Sequence, residues 1–267
     1  MLKVMLVSTF EGGYQPMTVA TAATPLLEAG CDVSVLDTYV DGVQEELLVE
    51  PDLVAIAIPV FMALDSGIEI ANLVRQLNPK AHITFFGQYA TINCSRLVGK
   101  YSDTCVTGEW EEPLVALAKH LSGDHQPMLP GIVSAELLTT DQVKVLQPYM
   151  SRKHFRVPTR NLLPPLYKYP QNQVDKLCGG KQIVGATEIA RGCHHKCLYC
   201  SVFAAYNGKV LLVPEEIVQA DVRNLVNDGM THLTFIDADF FNAKYHGINI
   251  IRKLHQEFPD LTYDFTT

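Results

Sequence analysis

The chain has 267 residues, 48% hydrophobic and 19% charged, and its 21 Lys and Arg against 29 Asp and Glu leave a net charge of −8. That length predicts two domains with real cores. The acidic balance is a poor match for non-specific nucleic-acid binding, which needs phosphates neutralised, and no apolar run approaches the roughly 18 residues of a membrane span.

The opening run Met1-Leu2-Lys3-Val4-Met5-Leu6-Val7 leads into a polar glycine turn with no small-residue cleavage pattern. It reads as a first buried strand and not as a signal peptide, so a cytoplasmic protein is expected. Over residues 1–125 strand and helix periods alternate. Strands are expected at 2–10, 32–39, 52–61, 81–89 and 104–108, and helices from the first glycine turn to Ala29, at 66–77 and at 111–121. Pro25 falls inside the first helix and is expected to kink it, and Gly30 fits that helix's C-terminal cap. The alternation predicts an open, doubly wound α/β sheet of Rossmann type. Ligands on such sheets bind beyond the carboxyl ends of the strands. Those ends carry Phe10, Glu11 and Gly12, then Phe61, then Gly87, Gln88 and Tyr89, then Gly108 and Glu109, which are therefore the candidate ligand-binding residues of the first domain. The glycines fit a close ligand approach and plain turn chemistry about equally well.

Residues 126–181 read as a connector, with seven of the chain's 15 prolines between Pro127 and Pro170. Its segment Val157-Pro158-Thr159-Arg160-Asn161-Leu162-Leu163-Pro164-Pro165 is too apolar for a free linker and is expected to strap one domain to the other. A second α/β series fills residues 182–267. A strand at 182–190 runs into Arg191-Gly192-Cys193, followed by a helix at 214–228, a strand at 232–237, a helix at 247–258 and a strand at 261–265. Repeated βαβ units of this kind build parallel barrels.

Seven cysteines are an odd number for a disulfide framework. Cys193, Cys197 and Cys200 lie within eight residues at the spacing C-x3-C-x2-C, which in a reducing compartment means metal or redox chemistry. A cubane iron–sulfur cluster normally takes four thiolates, so three would leave one iron open to another ligand. Gly192 allows a sharp turn before the first cysteine, and Tyr199 puts an aromatic ring beside the site. Two alternatives stay open on the residues alone. A zinc site could be closed by His194, His195 or Cys178. A redox pair of Cys197 and Cys200 would leave Cys193 unexplained. Cys31, Cys94 and Cys105 read as small buried hydrophobes.

C-x3-C-x-aromatic-C on the loop after the first strand of a parallel series resembles the radical S-adenosylmethionine (SAM) superfamily. The resemblance implies a [4Fe–4S] cluster on Cys193, Cys197 and Cys200, whose open iron chelates the amino and carboxylate groups of SAM. Reduction then cleaves SAM, usually to a radical that abstracts hydrogen. It also places Tyr199 near the adenine, and sets Asp237 and Asp239 of Phe235-Ile236-Asp237-Ala238-Asp239 where the family often has Gly-Gly-Glu to support the SAM amino group. The doubly wound domain ahead resembles the cobalamin-binding branch. The phrases GQYA, GEWEEPL, VPTRNLLPPL and RGC resemble an uncharacterised group with a Cys-Cys or Sec-Cys tail, although the tail is absent here.

This resemblance implies an enzyme with the first half of a partial (β/α)6 TIM-type barrel, and methyl or alkyl transfer as its reaction. Cobalamin is left open, because the first domain lacks the Asp-x-His-x-x-Gly that supplies histidine to cobalt. A radical SAM enzyme without cobalamin and a non-catalytic cobalamin or metal sensor are the alternatives. The implied partners are a small-molecule or peptide substrate and a reductant such as flavodoxin or ferredoxin. Family barrels have six strands, each strand–helix unit taking roughly 30 residues. Three strands are legible here, so the chain is expected to be a piece of a longer enzyme.

Overall fold

The computed structural model describes residues 1–124, 128–139, 148–151 and 155–267; Pro127, counted above among the connector prolines, lies outside them. The first domain runs β1 (Lys3–Ser8), α1 (Met17–Glu28), β2 (Asp32–Asp37), α2 (Thr38–Asp41), β3 (Leu53–Ala57), α3 (Ala63–Leu77), β4 (His82–Phe86), α4 (Gln88–Leu97), β5 (Thr104–Val106), α5 (Glu111–Leu121), β6 (Ile132–Ser134) and α6 (Ala135–Thr139). Its strands are ordered β2-β1-β3-β4-β5-β6, all parallel except β6, which pairs antiparallel with β5. β6 falls within the stretch that the sequence reads as connector.

Alternate residues of each central strand go to opposite faces, and both faces are buried. Val4, Leu6, Ala55 and Phe86 pack with Val19 and Ala23 of α1 and Leu114 and Leu117 of α5. Met5, Val7, Ile56 and Phe85 pack with Ile70 and Val74 of α3 and Cys94 and Leu97 of α4. A strand with period-two side chains and no solvent face must be apolar throughout, which is why these strands read as unbroken apolar runs. Between β1 and β3 the order reverses, and a parallel sheet opens a crevice at such a point, outside the carboxyl ends of the strands.

The strands expected over 2–10, 52–61 and 104–108 stop at Ser8, Ala57 and Val106. The strand expected to reach Tyr89 stops at Phe86, because Gly87 sits at φ +101° and α4 starts at Gln88. α1 continues through Pro25 to Glu28.

The second domain follows α7 (Asn172–Cys178) with β7 (Val184–Thr187), β8 (Ala190–Gly192), α8 (Ser201–Tyr206), β9 (Val210–Leu212), α9 (Glu215–Asn227), β10 (His232–Phe235), α10 (Lys244–Glu257) and β11 (Thr262–Phe265). β7, β10 and β11 form a parallel sheet in the order β11-β10-β7. Leu233 and Phe235 of β10 pack with Val218, Val222 and Leu225 of α9 and Ile250 and Leu254 of α10. The single strand expected over 182–190 is split. Asp237 accepts hydrogen bonds from the N–H groups of Ile189 (3.2 Å) and Ala190 (2.7 Å), which takes them out of the ladder. β8 then leaves the sheet to pair antiparallel with β9. Among the described residues no helix is long and apolar enough to cross a membrane.

The apolar connector segment lies along α1 and reaches the second domain. Thr24 Oγ1 donates to Val157 O (2.9 Å), and Gln15 Nε2 donates to Pro164 O (2.9 Å). Arg160, 4% exposed, donates to both carboxylate oxygens of Asp221 on α9 (2.9 and 2.8 Å) and to Ala186 O of β7 (2.8 Å), and reaches Gln15 Oε1 at 3.3 Å. A buried charge pair of this kind adds little net stability by itself, but removing one partner strands the other charge out of water. Arg160→Ala is therefore expected to cost about 3–5 kcal/mol of unfolding free energy in a urea titration. Arg156→Ala, which breaks the exposed pair with Glu28, should cost under about 1 kcal/mol. Equal losses would show that the strap is not held by its buried charge.

Candidate metal centre and interdomain crevice

The cysteine loop begins where β8 ends. Gly192 has φ +88°, and a Cβ there would lie 2.1 Å from Lys209 O of the chain entering β9, so only glycine fits. Cys193 follows, buried, its sulfur accepting from His195 N–H at 3.4 Å. Residues 193–200 then run without helix or strand to α8, with one backbone hydrogen bond inside the loop, from Cys200 N to Cys197 O (3.1 Å). Leu198 and Tyr199 are fully exposed on it, an unusual position for large apolar side chains. His195 Nε2 lies 3.1 Å from Asp239 Oδ2, tying the loop to the turn after β10, and Asp239 also caps that turn by accepting from Phe241 N.

None of the cysteines is in a disulfide. Among the described residues no three His, Cys, Asp or Glu side chains converge as a metal-binding group, so the three thiols do not form a ready-made site. Thiolates gather when a metal's charge offsets their repulsion, and such sites close on binding. The donor set fits three corners of a cubane cluster in number and type: three free thiols, on a segment with little hydrogen bonding to break. Cys178 is not brought to them. Its sulfur lies 3.7 Å from His232 Nδ1 at the start of β10, the end of that strand away from Asp237. Cys94 and Cys105 are buried in the first core as expected, and Cys31 is half-buried.

Beside the loop, a cavity of about 230 Å³ separates the two domains. Glu11, Gly12, Tyr14, Pro59, Val60 and Gln88 wall it from the ends of β1, β3 and β4. Glu188, Arg191, Gly192, Tyr206 and Asp237 wall it from the second domain. Gln88 Nε2 also donates to Ser201 Oγ (2.9 Å), which joins α4 to α8 directly behind the cysteine loop. A larger cavity, about 710 Å³, lies where β4 and β5 start, near His82 and Ser102; that is the wrong end of a parallel sheet for its usual ligand site.

The expected ligand residues of the first domain divide. Glu11, Gly12 and Gln88 reach the crevice, whereas Phe10, Phe61, Gly87, Tyr89 and Gly108 are not part of its wall. Phe10 packs edge-on against Tyr39, and Phe61 pairs with Tyr89. Gly108 is roofed by Tyr149, whose carbonyl oxygen would lie 2.2 Å from a Cβ at that position. That backbone contact by itself requires a glycine here. Glu109 turns to Arg191, with Oε2 3.0 Å from Nη1, and its other oxygen is buried without a partner. Glu188, Glu111 and Arg191 were missed in the sequence. The Arg of RGC, two residues before the cysteine, was their one local signal.

Burial governs the acids here. Glu11, whose carboxylate accepts from Thr18 N and Oγ1 at the start of α1, is pushed up to about 7 by burial. Burial pushes Asp237 from 3.8 to about 7 and Glu109 to about 8, in the latter case against the pull of Arg191.

No protein-family model and no curated protein sequence matches the chain. Solved structures do. The radical SAM methyltransferase TsrM from Kitasatospora setae, with tryptophan and the SAM analogue aza-SAM bound, superposes with a TM-score of 0.74 at 18% identity over 98% of this chain and 53% of that one. TsrM with cobalamin and a [4Fe–4S] cluster bound gives 0.69 at 19% identity over the same shares. Apo OxsB, a cobalamin-dependent SAM radical enzyme, gives 0.67 at 17% over 99% of this chain and 38% of that one. The chain thus spans about half the length of TsrM. At these identities the likeness is one of fold: a mixed α/β chain with a parallel sheet, similar to cobalamin-dependent radical SAM enzymes.

The raised acids set a pH dependence. Glu11 and Asp237 hold protons in the folded chain at pH values where the unfolded chain has lost them. The stability they contribute is full below the ordinary carboxylate pKa and is lost as pH rises through about 7. The melting temperature should therefore fall between about pH 5 and about pH 8, and Asp237→Asn should flatten that fall. A wild-type melting temperature that climbs across this range would contradict the burial argument.

Proposed function

We propose that this chain carries the SAM and iron–sulfur site of a radical SAM enzyme of the cobalamin-associated type, with Cys193, Cys197 and Cys200 as the cluster ligands. One observation carries the reading: the C-x3-C-x2-C loop leaves the end of β8 at the rim of a crevice whose facing wall is built from the carboxyl ends of a parallel sheet. The fold shared with TsrM and OxsB supports it. When bound, the cluster supplies the electron that cleaves SAM reductively.

The protein's own part is to hold and to shape the site. Asp237 pins the turn before the loop through Ile189 and Ala190, and Asp239 with His195 pins its middle. Tyr199, exposed on the loop, supplies a ring face for the adenine. Tyr14, Trp110 and Tyr206 line and narrow the crevice. The second domain's parallel β7-β10-β11 sheet is read as the first part of a (β/α)6 barrel, and the substrate as a small molecule or a peptide.

A specific observation favours doing without a histidine-ligated cobalamin. The loop after β1 spends Glu11 on the first turn of α1, and it offers no histidine. The crevice, at about 230 Å³, is below the usual range of drug-sized pockets, so it does not admit a corrin as built. Methyl or alkyl transfer through cobalamin would need the walls to part.

Anaerobic purification and reconstitution test the reading. The protein should bind about four irons per chain with matching sulfide and show a [4Fe–4S] electron paramagnetic resonance signal that changes when SAM is added. Cys193→Ala, Cys197→Ala and Cys200→Ala should each lose the iron or the SAM response, and Cys178→Ala should keep both. Stoichiometric zinc without iron would sink the reading.

A further inference from the structure

Arg191 is buried between the domains, two residues before Cys193. Its Nη1 donates to Glu109 Oε2 (3.0 Å) and Glu111 Oε1 (2.5 Å), both from the first domain at the start of α5. Its Nε donates to Glu188 Oε1 (2.6 Å) in the turn between β7 and β8. The guanidinium lies 4.4 Å from the centre of the Trp110 ring and 5.0 Å from that of Phe155. A planar, always-charged fork suits this cage; an ammonium could not stack on the rings and reach the carboxylates on both sides.

The residue between this cage and Cys193 has no slack. Gly192 is pressed against Lys209 O and the Tyr206 side chain, and β8 is laddered to β9. A shift of Glu109 or Glu111 therefore moves Arg191, and Cys193 with it. Glu109 and Glu111 follow the carboxyl end of β5, the edge at which such a sheet meets its ligands. We propose that Arg191 is a positioning residue through which the first domain sets the place of the cysteine loop. The proposal rests on the reading that this loop holds a cluster.

Arg160 provides a matched control. It too is a buried guanidinium bridging the domains, but it is held by Asp221, Ala186 O and Gln15, apart from the loop. If Arg191 only glued the domains, Arg191→Lys and Arg160→Lys would act alike.

The test uses the full chain in two states. In cluster-free protein, iodoacetamide labelling of Cys193 and Cys197 is followed by peptide mass spectrometry. Arg191→Lys is expected to raise the Cys193-to-Cys197 rate ratio on the order of tenfold, since loss of a buried partner frees the strand, while Arg160→Lys leaves it within about twofold. In reconstituted protein, Arg191→Lys and the equal-volume Glu109→Gln should shift the g-values of the reduced cluster, and Arg160→Lys should not. An unchanged ratio in Arg191→Lys, or the same change in both lysine variants, would overturn the proposal. A wild type that takes up no iron would instead sink the cluster reading, and the labelling ratio would still decide whether Arg191 positions the loop.

Discussion

The structure depends on two guanidinium groups taken out of water between its domains. Arg160 and Arg191 are each about 4% exposed, and each is surrounded by acceptors drawn from both sides of the domain boundary. A buried charge is tolerated only while its partners stay in place, so a displacement that keeps either guanidinium buried but takes its acceptors away is costly. That makes the relative placement of the two sheets specific. Apolar packing alone would permit sliding, and a forked cation bound to carboxylates from both domains does not.

From that placement the crevice follows. Parallel strands deliver their connecting loops to one edge, and Arg191 ties the segment after the β7–β8 turn to that edge through Glu109 and Glu111, while Asp237 holds the turn through Ile189 and Ala190. The wall so formed is rich in acids, and burial rather than pairing governs them: Glu11, Glu188 and Asp237 all sit above the ordinary carboxylate range. With Glu11 and Asp237 held up to about 7, less uncompensated charge faces the crevice below neutral pH. The cysteine loop, by contrast, has almost no internal hydrogen bonds and leaves Leu198 and Tyr199 in solvent. An ordered strand on one side of Gly192 and a sparsely bonded loop on the other would suit the proposed site, which must gather three thiolates on binding.

Much of this was legible because it is local. Three cysteines at fixed spacing after a glycine, and apolar runs long enough only for doubly covered strands, are visible in any ten-residue window. α5 was placed to the residue, since Glu111 and Glu112 mark its start and its apolar face repeats at helical spacing. α4 was missed because Gly87-Gln88-Tyr89-Ala90 reads as a strand's end, and only φ at Gly87 shows that a helix begins there. In the sequence Gly108 fits a ligand approach and plain turn chemistry equally, because a glycine does not reveal what approaches it; the structure shows the Tyr149 backbone, some 40 residues on. The family resemblance sets Asp237 where the SAM amino group is supported, and the sequence shows nothing of its structural partners. Its bonds to Ile189 and Ala190 depend on two strands meeting, which no local pattern encodes. The Glu109–Arg191 contact is hidden for the same reason.

The central claim is that three thiolates on the loop leave one iron of a cubane exposed to the crevice. ⁵⁷Fe Mössbauer spectroscopy of the reconstituted chain, recorded with and without SAM, tests it most directly. The account predicts that SAM shifts the isomer shift of about one iron in four and leaves the remainder unchanged. A spectrum in which no iron responds to SAM, or in which all respond alike, would contradict it.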